Sequence, residues 1–241
     1  MTAPRVVSLV PSLTEAVAAT APELLVGATD WCSHPAGLAV RRIGGTKNPD
    51  VAAVIGLRPD LVIANEEENR APDLDALRAA GLHVLVTEVR ELSGAFRELD
   101  RVLVAGCGLA RPAWLDAAEE AWAGVVPVGR YRAVIPIWRR PWMVLGRDTF
   151  AGDLLARLGV TNVYADHPER YPKTPLPELV GSGSDLVVLP DEPYAFGAGD
   201  GPEAFPGMPA ALVDGRHLTW YGPSLVAAPA VLSGALRAAF R

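Results

Sequence analysis

The stretch Asp60-Leu-Val-Ile-Ala-Asn-Glu66 (DLVIANE) decides the fold, because it has a late counterpart in Asp185-Leu-Val-Val-Leu-Pro-Asp191-Glu192 (DLVVLPDE). Each opens on an aspartate, runs through four or five apolar residues and ends on carboxylates. An uninterrupted apolar run of that length fits a strand covered on both faces, which is the environment of a parallel sheet flanked by helices. Working outward, strands are expected at 5–10 (RVVSLV), 24–28 and 84–87 around the first copy, and at 131–138 (YRAVIPIW) and 212–214 around the second. Helices are expected at 51–55, 72–80, 91–105, 150–158 and after Pro229. Ser12-Leu-Thr-Glu15 reads as a capping box opening a helix after the first strand. Between the halves, 112–123 (PAWLDAAEEAWA) has Pro in its first turn and Trp114, Ala118 and Trp122 at spacings of four, one apolar stripe of a helix. The expectation is an α/β protein of two Rossmann-like lobes: residues 1–108, a bridging helix over 109–126, and residues 127–241, with a ligand cleft between the lobes.

Composition narrows the function classes. The 241 residues include 22 Lys and Arg against 28 Asp and Glu, a net charge of −6, and 50% are hydrophobic, so the chain can build real cores and is not a disordered segment. An acidic balance without a cationic run argues against nucleic-acid binding. No stretch approaches the ~20 apolar residues of a membrane span, so no membrane insertion is expected. The opening MTAPRVVSLVPSLTE is broken by Pro11, Ser12 and Glu15 and lacks a secretory leader's pattern. As given, the chain is therefore expected to be cytoplasmic, and extracytoplasmic if a leader has been removed. Two cysteines, Cys32 and Cys107, are expected as free thiols.

Several ordered segments carry a resemblance: VVSLVPSLTE, IGGTKNPD, GLRPDLVIAN, IWRRPWMVLGRDTF, ARLGVTNVY and LTWYGPSL. Together they resemble the helical-backbone class of substrate-binding proteins that serve ABC importers for cobalamin, haem and iron-siderophores. CSHP, IGGTKNP, NEEEN and TWYGP are most similar to its cobalamin-binding, or helical-backbone metal receptor, branch. The resemblance implies two α/β lobes joined by one helix, a cobalamin, haem or ferric-chelate ligand rather than an obligatory cofactor, an ABC permease as a possible partner, and no catalysis.

Candidate site residues fall in the loops beyond the strand ends. His34 and His217 sit in such loops of opposite halves, and a neutral imidazole is a common ligand to transition metals and to haem iron. With Glu66, Glu67 or Glu68 they make the elements of a two-His, one-carboxylate metal site; otherwise each imidazole caps a loop backbone. Cys32 lies two residues before His34, where packing under the loop competes with metal ligation. Trp31, Trp138, Trp142, Trp220 and Tyr221 offer the flat, polarizable walls that macrocycles favour. Arg139, Arg140 and Arg216 can meet acidic groups of a ligand or form surface salt bridges. Crowding in Glu66-Glu67-Glu68 raises at least one of their pKa values unless a cation is present. By the family's pattern, one acidic residue per lobe docks on the permease, and Glu68 and Glu192 suit that role by symmetry.

Enzyme signatures are missing: there is no Gly-x-Ser-x-Gly elbow, phosphate loop, His-Glu-x-x-His helix or dinucleotide fingerprint. The leading expectation is a non-catalytic binding protein for a cobalamin-like corrinoid or other metal chelate. Two rivals remain at this level. One is a metal- or tetrapyrrole-handling enzyme using His34, His217 and Glu66 to Glu68; the other is an interaction module that has lost its ligand.

Overall fold

A computed structural model describes residues 4–241, and these divide into two compact units. The first takes in the chain to Glu88, Gly94–Asp116 and Tyr221–Pro223; the second comprises Val89–Ser93, Ala117–Trp220 and Ser224–Arg241. A boundary between the units falls inside the expected bridging segment, after Asp116. The transfer of Val89–Ser93 and Tyr221–Pro223 is not anticipated by a division at 108 and 126.

The first unit is built on strands β1 (Val6–Ser8), β2 (Leu25–Ala28), β3 (Arg41–Arg42), β4 (Leu61–Asn65) and β5 (Val84–Thr87), with helices α1 (Pro11–Thr20), α2 (Val51–Gly56) and α3 (Ala71–Ala79) between them. All five strands are parallel in the order β3-β2-β1-β4-β5. The order reverses direction at β1, which makes the carboxyl ends of β1, β2 and β4 the place where loops diverge and leave room for a ligand. Every residue of β4 is buried, as its unbroken apolar reading requires. Val7, Leu9, Ile43, Val54, Val62, Ala64, Leu74 and Leu77 form one core. Burial of a leucine such as Leu9 or Leu77 contributes about 2 kcal/mol.

The chain continues through α4 (Leu92–Asp100), which runs on into a π-helical segment over Arg101–Gly106, and α5 (Ala113–Ala123). The second unit holds β6 (Tyr131–Val134), β7 (Pro136–Arg139), β8 (Trp142–Val144), α6 (Phe150–Arg157), β9 (Val160–Asn162), α7 (Leu176–Val180), β10 (Leu186–Pro190), β11 (Ala210–Val213), α8 (Gly215–Thr219) and α9 (Ala228–Ala238). Its parallel sheet has the order β11-β10-β6-β9, and β7 and β8 form a separate antiparallel hairpin. Val134, Val144, Leu179, Val187, Leu189, Phe196 and Phe205 make the core.

Three local expectations are corrected. The capping box does not form: α1 begins at Pro11 with Val10 as its cap and no side-chain cap bond, because Pro supplies a ready helical φ at the first position and places Ser12 already inside the helix. The expected strand over 131–138 is two strands. Ile135 ends the pairing with β10, and Pro136, with no N–H for a ladder, starts the hairpin. The stripe on α5 is Leu115, Ala118 and Trp122, all buried, while Trp114 is half-buried and donates its indole N–H to Thr20 Oγ1 at 3.1 Å. Trp122 finds the carbonyl of Leu225 at 3.0 Å. Among the described residues no helix is long and apolar enough to cross a membrane.

Candidate functional site

In the first unit the loop after β2 is a rigid mount for one aromatic. Arg42 on β3 reaches under it and donates to the carbonyls of Thr29 at 2.8 Å and Cys32 at 2.9 Å, while Asp30 N–H bonds to Gly44 O at 2.8 Å. Cys32 is fully buried, its sulfur 3.0 Å from Thr14 Oγ1 and 3.1 Å from Thr29 Oγ1. Burial pushes its thiol pKa up against the pull of those hydroxyls, so it packs as a neutral thiol beneath the loop. Above it the Trp31 ring is 68% exposed. His34 is half-buried, with Nδ1 3.1 Å from Ser33 Oγ.

The loop after β4 is held by two asparagines. Asn65 donates to the carbonyl and hydroxyl of Thr87, both at 3.1 Å, and its side-chain oxygen accepts the N–H groups of Glu67 at 2.9 Å and Glu68 at 3.3 Å. Asn69 accepts Asn65 N–H at 2.9 Å and donates to Thr46 O at 2.9 Å and Leu9 O at 3.3 Å. Lys47 donates to the carbonyl of Glu67. This network makes Glu66, Glu67 and Glu68 three different carboxylates: Glu66 exposed, the other two half-buried. Burial raises the pKa of Glu68, Lys47 pulls it back and Glu67 adds to the rise. The crowding expected from the sequence is present, but desolvation is its larger part.

Tyr221 belongs to this unit. It is 8% exposed, with its phenol bonded to Thr87 and Ser12, and burial drives its pKa well up with a further push from Glu68. Thr87 thus ties the Asn65 loop to Tyr221.

In the second unit the β7–β8 hairpin carries Trp138 and Trp142. Trp138 is 41% exposed, edge-on to Tyr194 with ring centroids 5.7 Å apart. Trp142 packs half-buried against the core, stacked on Phe196 at 6.0 Å and edge-on to Phe205 at 5.6 Å, with the Arg139 guanidinium 5.4 Å above its ring. Arg139 itself is neutralised by Asp200 and Glu203, and Tyr194 donates to Asp200 Oδ2 at 2.6 Å. For Arg139, the salt-bridge reading is the one realised.

Beyond β11, Asp214 caps α8, accepting the N–H of His217 at 3.0 Å, and the same oxygen lies 2.8 Å from His217 Nδ1. Burial pushes Asp214 up, but the His217 N–H and ring and the Arg216 charge outweigh it and hold its carboxyl below the usual range. Gly215 N–H bonds to Asp191 Oδ1 at 2.6 Å, and a Cβ on Gly215 would stand 2.7 Å from Glu192, so the helix start and the Glu192 loop meet through a glycine. Glu192 accepts the indole N–H of Trp220 at 3.0 Å.

The structure therefore sorts the candidate residues. Trp31 and Trp138 are exposed aromatics; Trp142 is half-buried; Trp220 and Tyr221 are each 8% exposed, with their polar tips bonded to Glu192 and to Thr87 and Ser12. Glu68 and Glu192, expected as docking acids, are half-buried with environments of their own. Among the described residues no three His, Cys, Asp or Glu side chains gather as a metal-ligand set. His83 is exposed, and His167 accepts Glu169 N–H at 3.0 Å, a loop cap. Sequence reasoning missed the roles of Thr87, Asn69 and Arg42; only Thr87 carries a signal, a polar residue at the end of an apolar strand.

No protein-family profile matches the chain. Curated relatives include a vitamin B12-binding protein of Vibrio cholerae, 21% identical over 205 residues that cover 81% of this chain and 73% of the relative, and one of Yersinia pseudotuberculosis, 22% identical over 197 residues that cover 78% and 69%. Among solved structures, the periplasmic vitamin B12 binding protein BtuF of Vibrio cholerae superposes with a TM-score of 0.80 at 19% identity, covering 99% of this chain and 98% of that one. A periplasmic heme-binding protein BhuT in complex with two hemes gives 0.78 at 22%, covering both chains fully (100% each), and a periplasmic heme binding protein from Pseudomonas aeruginosa gives 0.72 at 25%, covering 97% and 92%. The resemblance read from the sequence is met, and this chain has the α/β fold of these periplasmic binding proteins.

Proposed function

We propose that this chain, which has the fold of the periplasmic vitamin B12- and heme-binding proteins, is itself a non-catalytic binding protein for a cobalamin-like corrinoid or another metal chelate. The observation that carries the reading is the likeness to BtuF along nearly the whole chain, 99% of this one and 98% of that, with no added or missing lobe. The strand-end loops supply support of a chemical kind. Trp31 stands exposed on a loop held from beneath by Arg42, and Trp138 stands exposed on strand β7; each is an aromatic face of the kind a rigid, flat ligand favours because little side-chain entropy is lost on binding. His34 and His217 are imidazoles suited to meet a ligand's metal, and Arg216 an acidic substituent. The partner would be an ABC permease receiving the loaded protein, with Glu66 more open to it than Glu67 or Glu68. In this reading the ligand leaves as it entered, and no side chain performs a reaction.

Absorbance titration with cyanocobalamin, haemin and ferric siderophores tests the proposal. A saturable spectral change at one ligand per chain is expected for at least one of them. Absence of binding for all three classes overturns it.

A further inference from the structure

We infer that the second unit docks peripherally on an anionic lipid surface through the amino-terminal end of its sheet, where exposed apolar side chains stand among arginines. Val126 is 72% exposed and Phe240 42%. The Phe240 ring stacks on Tyr131 with centroids 4.4 Å apart and planes at 20°, so the end of α9 lies against the start of β6. The backbone around Val126 is fixed. Val128 N–H bonds to Leu158 O at 2.9 Å and Tyr131 N–H to Gly159 O at 3.0 Å. Gly159 has φ +87°, and a Cβ there would run into Gly129 O, so only a glycine lets the two turns close on each other. Val126 thus projects from a pinned turn.

Cations flank the aromatic pair. Arg130 precedes Tyr131, while Arg237 lies one turn before Phe240 and Arg241 follows it. All three are exposed, and among the described residues none has a carboxylate partner. Arg132 faces the other side of the sheet by the strand's alternation, toward Gly183. Of the acids on adjoining elements, Asp185 accepts Arg132 N–H at 2.7 Å, Asp153 is paired with Arg157 and Glu120 is exposed on α5. On a chain of net charge −6, three unmatched arginines around an apolar projection are a local exception.

That combination suits a lipid surface. An arginine close to an anionic bilayer strengthens binding about fivefold, and salt screens the more distant acids of the chain beyond ~10 Å. Val126 and Phe240 settle among the headgroups and Tyr131 sits at the interface, with nothing crossing the bilayer. Charge or apolar area alone holds a protein weakly; the two together hold it. A second copy of this chain fits poorly, because a twofold contact would set arginines against arginines. A peptide needs a groove, whereas Val126 projects. The strands of this sheet are parallel, so the loops after β10 and β11 lie at its other end, and no candidate ligand residue is shared with the patch.

Flotation of the intact protein with vesicles tests the inference, using phosphatidylcholine alone and phosphatidylcholine mixed with phosphatidylglycerol, at low and high salt. Binding to the anionic vesicles is expected to exceed binding to the neutral ones by roughly tenfold or more and to weaken with salt. The triple variant Arg130→Gln, Arg237→Gln, Arg241→Gln should lose at least about tenfold, and Val126→Ser several-fold at unchanged charge. These side chains are exposed, and circular dichroism checks that each variant keeps the fold. Arg41→Gln, on an exposed arginine of the first unit, should bind as the parent does. Equal recovery with both vesicle types, no loss in the triple variant or in Val126→Ser, or an equal loss in Arg41→Gln overturns the inference. Soluble polyglutamate that binds as tightly and ignores Val126→Ser assigns the patch to an acidic polypeptide and overturns it too. A protein that fails with every metal chelate and passes here loses the proposed function and keeps this surface; the reverse result does the opposite.

Discussion

Glu68 and Asp214 stand just beyond the carboxyl ends of parallel strands, one in each unit, and their surroundings push them in opposite directions. Glu68 is desolvated with Lys47 as partial compensation and Glu67 against it, so its pKa rises. Asp214 is also desolvated, but a helix N–H, an imidazole and an arginine more than repay it, and its pKa falls. The same kind of position thus produces a carboxyl that the fold tolerates and one that the fold uses. What separates them is the depth of burial, Glu68 half-buried and Asp214 exposed, together with the number of donors aimed at the oxygens.

The comparison breaks most visibly at Tyr221, the phenol beside Glu68. Tyr221→Ala empties a buried ring site and removes the phenol's bonds to Ser12 and Thr87, a loss of about 3–5 kcal/mol of unfolding free energy in urea. Tyr221→Phe keeps the ring and should lose only about 1–2 kcal/mol. If the two variants cost the same, the packing half of the account is wrong. Next comes Asn65→Ala, which releases the Glu67 and Glu68 N–H groups together with Thr87 and should cost about 2 kcal/mol.

The pH response then separates the two acids by sign. A raised folded pKa gives stability that is present at low pH and fades as pH climbs through it, so Glu68→Gln should be more stable than the parent at pH 7, the gain vanishing below the usual glutamate range. For Asp214 the lowered folded pKa gives stability present at pH 7 and lost as pH falls through it. Asp214→Asn should therefore be less stable at neutral pH and converge on the parent in acid. Chemical denaturation at stepped pH reads both, and like signs would dissolve the contrast. The smallest stability effect belongs to Trp31→Ala, within ~0.5 kcal/mol because the ring is 68% exposed, together with a clear loss of chelate affinity.

How much of this was open to a reader of the chain varies with length and locality. The apolar runs of β4 and β10 are unambiguous, because a strand buried on both faces leaves no other use for them, and β5, half-buried on one face at the sheet edge, is still read to the residue from Val-Leu-Val-Thr. β3 at two residues, β9 at three and α8 at five are too short for periodicity to register; pairing with neighbours and the Asp214 cap make them. The site divides along the same line. Trp31, Trp138 and the glutamates are legible as residue types at strand ends. The burial and bonding of Trp220 and Tyr221 depend on partners 28 residues away at Glu192 and far upstream at Ser12 and Thr87, which no local pattern encodes.

The central claim, reversible capture of a metal chelate without chemistry, is met most directly by equilibrium dialysis of the intact protein against cyanocobalamin and haemin, followed by recovery of the bound fraction. Retention of at least one near one equivalent per chain, released chemically unchanged on denaturation, is the result the account predicts. Recovery of an altered compound, or retention of neither these nor a ferric siderophore, contradicts it.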